Sequence, residues 1–123
     1  MRFYSRKWIR PADLNSHGSL FGGQLLQWID EEAAIFAMCQ LNNNPNIVTK
    51  YISEINFTAS ARTGDIVEMG MEVVAFGRTS ITLSCEVRNK VTKEKIITID
   101  RIVFVSLDAN GRPSPHGCTE ERD

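Results

Sequence analysis

The sequence predicts an α+β fold in which a curved antiparallel sheet of about five strands wraps around one long central α-helix. Two observations carry this expectation. A single stretch of helix formers runs from Gly22 to about Leu41, and the later segments alternate apolar and polar side chains with the two-residue period of a strand. The chain has 123 residues, the size of one domain that buries roughly two-thirds of the surface its unfolded form exposes. One domain is therefore expected over residues 1–113, followed by a flexible tail, residues 114–123, which is polar and contains proline.

Arg2 to Arg10 forms a short first segment, read as a strand. The run Pro11-Ala-Asp-Leu-Asn-Ser-His-Gly-Ser concentrates residues that favour turns and reads as a loop. The helix that follows carries apolar side chains on almost every face, so burial nearly all round is expected. It stops at Asn42-Asn-Asn-Pro45, because asparagines favour turns and proline cannot continue the hydrogen-bond ladder. Over Ile47 to Phe57, the period of two puts Ile47, Tyr51, Ile55 and Phe57 on one face, with Lys50, Glu54 and Asn56 on the other. The next strand alternates Val67, Met69, Met71, Val73 and Ala75 with Glu68, Gly70 and Glu72, the pattern of a sheet with one covered face. Gly77-Arg78 reads as a tight hairpin turn. Thr79 to Lys90 then sends Ile81, Leu83, Cys85 and Val87 inward, and Lys95 to Leu107 is the most apolar strand.

Composition excludes several classes of function. Charged residues make up 24% and the formal net charge is -1, which gives no broad attraction to polyanions, so nucleic acid is not an expected partner. Cys39, Cys85 and Cys118 are odd in number, far apart, and accompanied by only two histidines, His17 and His116. Neither a disulfide framework nor a metal site is expected. No stretch is apolar and long enough for a signal or spanning segment, so the expected compartment is the cytoplasm, with no membrane partner.

The chemistry concentrates in one block, Asp13-Leu-Asn15-Ser-His-Gly18-Ser-Leu-Phe-Gly22-Gly23-Gln-Leu-Leu-Gln-Trp-Ile-Asp30-Glu31. Seven residues at about 100° each make nearly two turns, so Gly23 and Asp30 lie on one helix face. The first amides of a helix lack intrahelical partners and carry partial positive charge, and glycine lets another group come close. Gly22-Gly23 can therefore present an N–H to a developing oxyanion. A carboxylate at Asp30 can activate water or attack as a nucleophile. Each residue also has a plain structural reading: Asn15 as a loop clasp or cap, Asp30-Glu31-Glu32 as a solvated face, and Gly22-Gly23 as a close packing point.

This block resembles the signature of the YciA-like acyl-CoA hydrolases, whose fold is the hotdog. Asp-x-Asn-x-x-Gly, three residues, a glycine pair and an acid seven positions later are all present. The resemblance extends over the whole domain, through Phe57, Gly64-Asp65, Gly77-Arg-Thr-Ser80 and Asp108-Ala-Asn-Gly-Arg112. Ser60 departs from it, since the family commonly has a proline between the counterparts of Phe57 and Gly64. The resemblance implies an acyl-CoA thioesterase that needs no cofactor, with Asp30 as base or nucleophile, and Asn15 and Asp30 supplied to one site by opposite protomers. A homodimer is then the minimum unit, and trimers of dimers are allowed. Gly77, Arg78, Thr79 and Ser80 match the hairpin that lies near the CoA phosphates, with Arg78 the first choice of contact. Asn56 and Phe57 would line the pantetheine arm, and His17 and Gly22 would be contacts. A binding-only acyl-CoA sensor and a hotdog dehydratase are the competing functions; the dehydratase needs a histidine and a carboxylate in another pattern, which His17 alone does not supply.

Overall fold

The computed structural model describes residues 1–122. Strand β1 (Arg2–Trp8) leads through a 3-10 turn at Pro11–Asp13 into helix α1 (Gly22–Gln40), and five further strands follow: β2 (Ile47–Ile52), β3 (Ile55–Phe57), β4 (Ile66–Phe76), β5 (Ser80–Asn89) and β6 (Lys95–Ser106). They form one antiparallel sheet in the order β1-β4-β5-β6-β2, with β3 also paired to β6. The expected architecture is present, with six strands among the described residues instead of five. The sixth arises because Ile47–Phe57 is broken at Ser53. There the Ser53 N–H donates to the Arg101 carbonyl at 2.8 Å and the Arg101 N–H donates to Ser53 Oγ at 3.0 Å.

The helix lies on one face of the open sheet. Leu25, Ile29, Ala33, Phe36 and Ala37 pack against Met69, Ile81, Leu83, Ile97, Ile99, Ile102 and Phe104 in a single core. Burying each large aliphatic side chain there contributes roughly 1.5–3 kcal/mol. The expectation that α1 would be covered nearly all round is corrected: Gly23, Gln27, Asp30, Glu31, Ile35 and Cys39 are exposed. One chain's sheet reaches only one side of the helix, and the far side is left open.

Bulges in β2 and β4 change which side chains share a face. In β2 the register shifts between Thr49 and Tyr51, so that Thr49 pairs with the inward Phe104 while Tyr51 pairs with Val103. Tyr51 therefore leaves the face it was expected to share with Ile47, and the Arg101 guanidinium lies 5.7 Å from its ring centroid. In β4 the shift falls between Val73 and Ala75, which places Phe76 opposite the buried Ile81 and leaves Ala75 exposed. One extra residue reverses the facing of everything beyond it. In β5, by contrast, Ile81, Leu83, Cys85 and Val87 are all buried as the pattern requires.

Candidate active site

The loop before the helix is built by its own polar side chains. The Asp13 carboxylate is buried and accepts from the Arg10 N–H at 2.9 Å. Asn15 Oδ1 accepts from the His17 N–H at 2.9 Å and the Ser19 N–H at 3.3 Å, and its Nδ2 donates to Ser19 Oγ at 3.2 Å. Gly18, at φ +80°, turns the chain back, a conformation few other residues adopt. Backbone bonds from Asn15 to the Ser19 carbonyl, 2.8 Å, and from Phe21 to the Asp13 carbonyl, 2.8 Å, then deliver the chain to the helix start. Asn15 thus clasps its own loop within the chain, and His17 is exposed.

The first turn of α1 is open. Among the described residues no side chain caps it and none of its residues is acidic, so its leading amides are available to an anion. A Cβ added at Gly23 would lie 2.6 Å from the Phe21 ring, whereas one at Gly22 would meet the Phe57 ring at an ordinary 3.7 Å. Gly23 is therefore the tighter of the two, and Phe57, 55% exposed, stands beside the glycine pair from β3. A cleft of about 300 Å³ runs between Leu20, Leu25 and the segment Phe57–Ala61. Asn56 is exposed on the same short strand.

Asp30 is exposed on the side of α1, where its Oδ1 accepts a hydrogen bond from Thr49 Oγ1 of β2 at 2.8 Å. Thr49 carries no motif that marks it in the sequence; only the register of β2 brings it under the helix. At 1.5 Å per residue, Gly23 and Asp30 share a face but stand ~10 Å apart along the axis. The loop of Asn15 joins the Gly23 end. Asp30 lies mid-helix, so a carbonyl held at the Gly23 amide is nearly two turns from the same chain's Asp30. A second cavity, about 200 Å³ and lined by Tyr4, Phe36, Cys39, Met69 and Met71, lies across the helix from Asp30, because Cys39 projects about 180° away from it.

The predicted hairpin residues sit together between β4 and β5. The Gly77 N–H donates to the Ser80 carbonyl at 2.9 Å, and the Thr79 carbonyl accepts from the Ser106 N–H at 2.8 Å. Arg78 is exposed. The segment from Ser114, expected as a flexible tail, makes contacts of its own among the described residues: Ser114 N–H to the Ser106 carbonyl at 2.8 Å, and a reciprocal pair of 2.7 Å bonds between the Gln40 amide and the Arg122 backbone.

Comparison with known proteins gives consistent matches. The family model described as the thioesterase superfamily matches residues 17–96. The uncharacterized acyl-CoA thioester hydrolase YkhA of Bacillus subtilis is 35% identical over 114 residues, which cover 87% of this chain and 63% of that protein. The acyl-CoA thioester hydrolase YciA of Salmonella typhimurium is 32% identical over 111 residues, covering 85% of this chain and 82% of its own. A crystal structure of a hexameric thioesterase from Yersinia pestis superposes with a TM-score of 0.83 at 26% identity, covering 93% of each chain.

Proposed function

This chain is a hotdog-fold enzyme of the thioesterase superfamily, and from that premise we propose that it hydrolyses acyl-CoA to a free acid and CoA at a site shared by two copies. The observation that carries the reading is the placement of Asp30. Its carboxylate stands exposed at the open side of α1, oriented through Oδ1 by Thr49, beside β2 at the free edge of the sheet. Val48, Tyr51 and Ile52 are 46%, 47% and 38% exposed along that edge. Apolar side chains on an unpaired edge strand are the composition of a sheet that continues into another subunit.

A two-fold axis at this edge sets the two helices side by side in opposite directions. The Gly23 end of one helix and its Asn15 loop then approach the Asp30 of the other, which resolves the separation of ~10 Å within one chain. Asp30 draws a proton from water as the water oxygen attacks the thioester carbonyl. The partner's helix amide at Gly23 receives the oxyanion, and Asn15 orients the water or the carbonyl. Collapse of the tetrahedral adduct expels the CoA thiolate, with no cofactor required. Asn56 and Phe57 flank the pantetheine arm and the Gly77–Ser80 hairpin meets the phosphates. The hexameric relative supports a trimer of such dimers.

The test is free-thiol release from butyryl-, decanoyl- and palmitoyl-CoA. Turnover that falls by about two to four orders of magnitude in Asp30→Ala, the weight of a positioned base, supports the reading. Equal turnover in that variant removes Asp30 from the chemistry, and binding without turnover in the parent protein makes the chain a sensor.

A further inference from the structure

His116 touches the β4–β5 hairpin at three points. Its backbone N–H donates to the Arg78 carbonyl at 3.2 Å, its ring Nε2 lies 2.8 Å from the Ser80 carbonyl, and its ring meets Phe76 edge-on, 6.1 Å between centroids. The other ring nitrogen fixes the tautomer. Nδ1 accepts from the Cys118 N–H at 2.9 Å, so it carries a lone pair, and Nε2 carries the hydrogen that it donates to Ser80. The Ser80 carbonyl thereby accepts twice, from the hairpin's own Gly77 N–H and from the imidazole. The histidine cannot turn without losing both ring bonds. Its segment is anchored on either side, by Ser114 on Ser106 and by Cys118, which is 6% exposed within the core.

We infer that His116 is a positioning residue for CoA: from the C-terminal segment, it holds the main chain of the Gly77–Ser80 hairpin in the conformation that presents Arg78 and the neighbouring N–H groups to the ligand's phosphates. The inference rests on the reading of that hairpin as the phosphate contact. A four-residue turn carrying an exposed arginine loses its aim if the turn fluctuates, and a donor from outside the turn removes that freedom before the ligand arrives.

The test compares His116→Gln, His116→Asn and Arg78→Ala in the full chain, reading KM and kcat for decanoyl-CoA and inhibition by CoA. Glutamine sets an N–H near the place of Nε2 and keeps the bond to Ser80. Asparagine sets a carbonyl near the place of Nδ1 and keeps only the bond from Cys118. Arg78→Ala and His116→Asn are each expected to weaken CoA binding roughly three- to tenfold, the weight of one hydrogen bond, with kcat unchanged, while His116→Gln stays near the parent. Amide exchange at Gly77, faster in His116→Asn and unchanged in His116→Gln, reads the same clasp without substrate. Parental CoA binding in His116→Asn beside a weakened Arg78→Ala overturns the positioning role and leaves the hairpin reading intact. Parental binding in Arg78→Ala overturns the hairpin reading and the inference with it. Rescue by asparagine and not by glutamine assigns His116 to folding of the tail alone and overturns the inference.

Discussion

The Thr49 hydroxyl donates to Asp30 Oδ1 at 2.8 Å, joining the middle of helix α1 to the edge strand β2. Thr49 lies before the bulge in β2, where it pairs with the inward Phe104, and Tyr51 beyond the bulge no longer shares its face. Both partners are exposed in the single chain. The carboxylate is therefore held in place by a hydrogen bond and not by being walled in.

Removing that hydroxyl should disorient Asp30 without removing it. Thr49→Val is expected to lower kcat about tenfold, the weight of one hydrogen bond to a charged group, while KM changes little and Thr49→Ser retains activity. Steady-state kinetics on decanoyl-CoA checks this. A Thr49→Val enzyme with parental kcat would mean that Asp30 is aimed by something else.

Much of the fold was legible because local chemistry and global arrangement agree. The glycine pair at the start of α1 and the asparagines at its end, two of them at φ 59° and 57°, mark its limits within one residue. The strict alternation of β5 identified its buried side chains. The bulges after Thr49 and Val73 left no trace, since one extra residue changes facing without changing composition. The Asp30 motif was visible as spacing, but its partner Thr49 depends on the register of a strand 19 residues away. His116 was invisible for the same reason: its hydrogen bonds reach the Ser80 carbonyl, 36 residues distant, and no local pattern encodes them.

Glu68 faces outward from β4 yet is only 4% exposed, under Arg88 at 2.7 Å and Lys93 at 3.2 Å, with the Arg88 guanidinium 3.6 Å from the Phe3 ring centroid. Burial pushes its carboxyl up, and the hydrogen bonds and charges of Arg88 and Lys93 outweigh this, leaving it below the ordinary 4.5. A lowered folded value contributes stability that is complete above the unfolded value and lost as pH falls through the folded one. Only one layer of side chains separates Glu68 from solvent, and Lys93 remains when Arg88 is removed. Arg88→Met should therefore cost about 1–2 kcal/mol, less than the ~3–5 of a deeply buried pair. Thermal melts should show a drop of roughly 5 °C near neutral pH, and the gap from the parent should shrink in melts below about pH 4.

The three thiols should differ sharply in reactivity. Burial, and then the neighbouring Glu86 charge, pushes the Cys85 thiol up to about 12, so it carries almost no thiolate at neutral pH. Cys118 is also buried, while Cys39 is exposed. Brief treatment of the native protein with a maleimide should label Cys39, as peptide mass mapping would show, and Cys85 only after denaturation. Rapid native labelling of Cys85 would mean that β5 opens far more readily than its place in the core allows.

The proposed sharing of the site between two copies makes a prediction that activity alone cannot mimic. If Asp30 works with the Asn15 loop and Gly23 of another copy, then Asp30→Ala and Asn15→Ala each disable every site in their own homodimers. Denaturing the two proteins together and refolding them at equal ratio makes half of the dimers mixed. Each mixed dimer holds one site with both substitutions and one with neither. The mixture should recover about a quarter of the parental activity per chain, since interfaces built on a two-fold axis pair copies at random. A site completed within one chain predicts no recovery above the sum of the two separately refolded variants. The ~10 Å between the Gly23 end and Asp30 along the helix is why recovery is expected, and a mixture that stays inactive while native gels confirm mixed dimers would place the whole reaction on one chain.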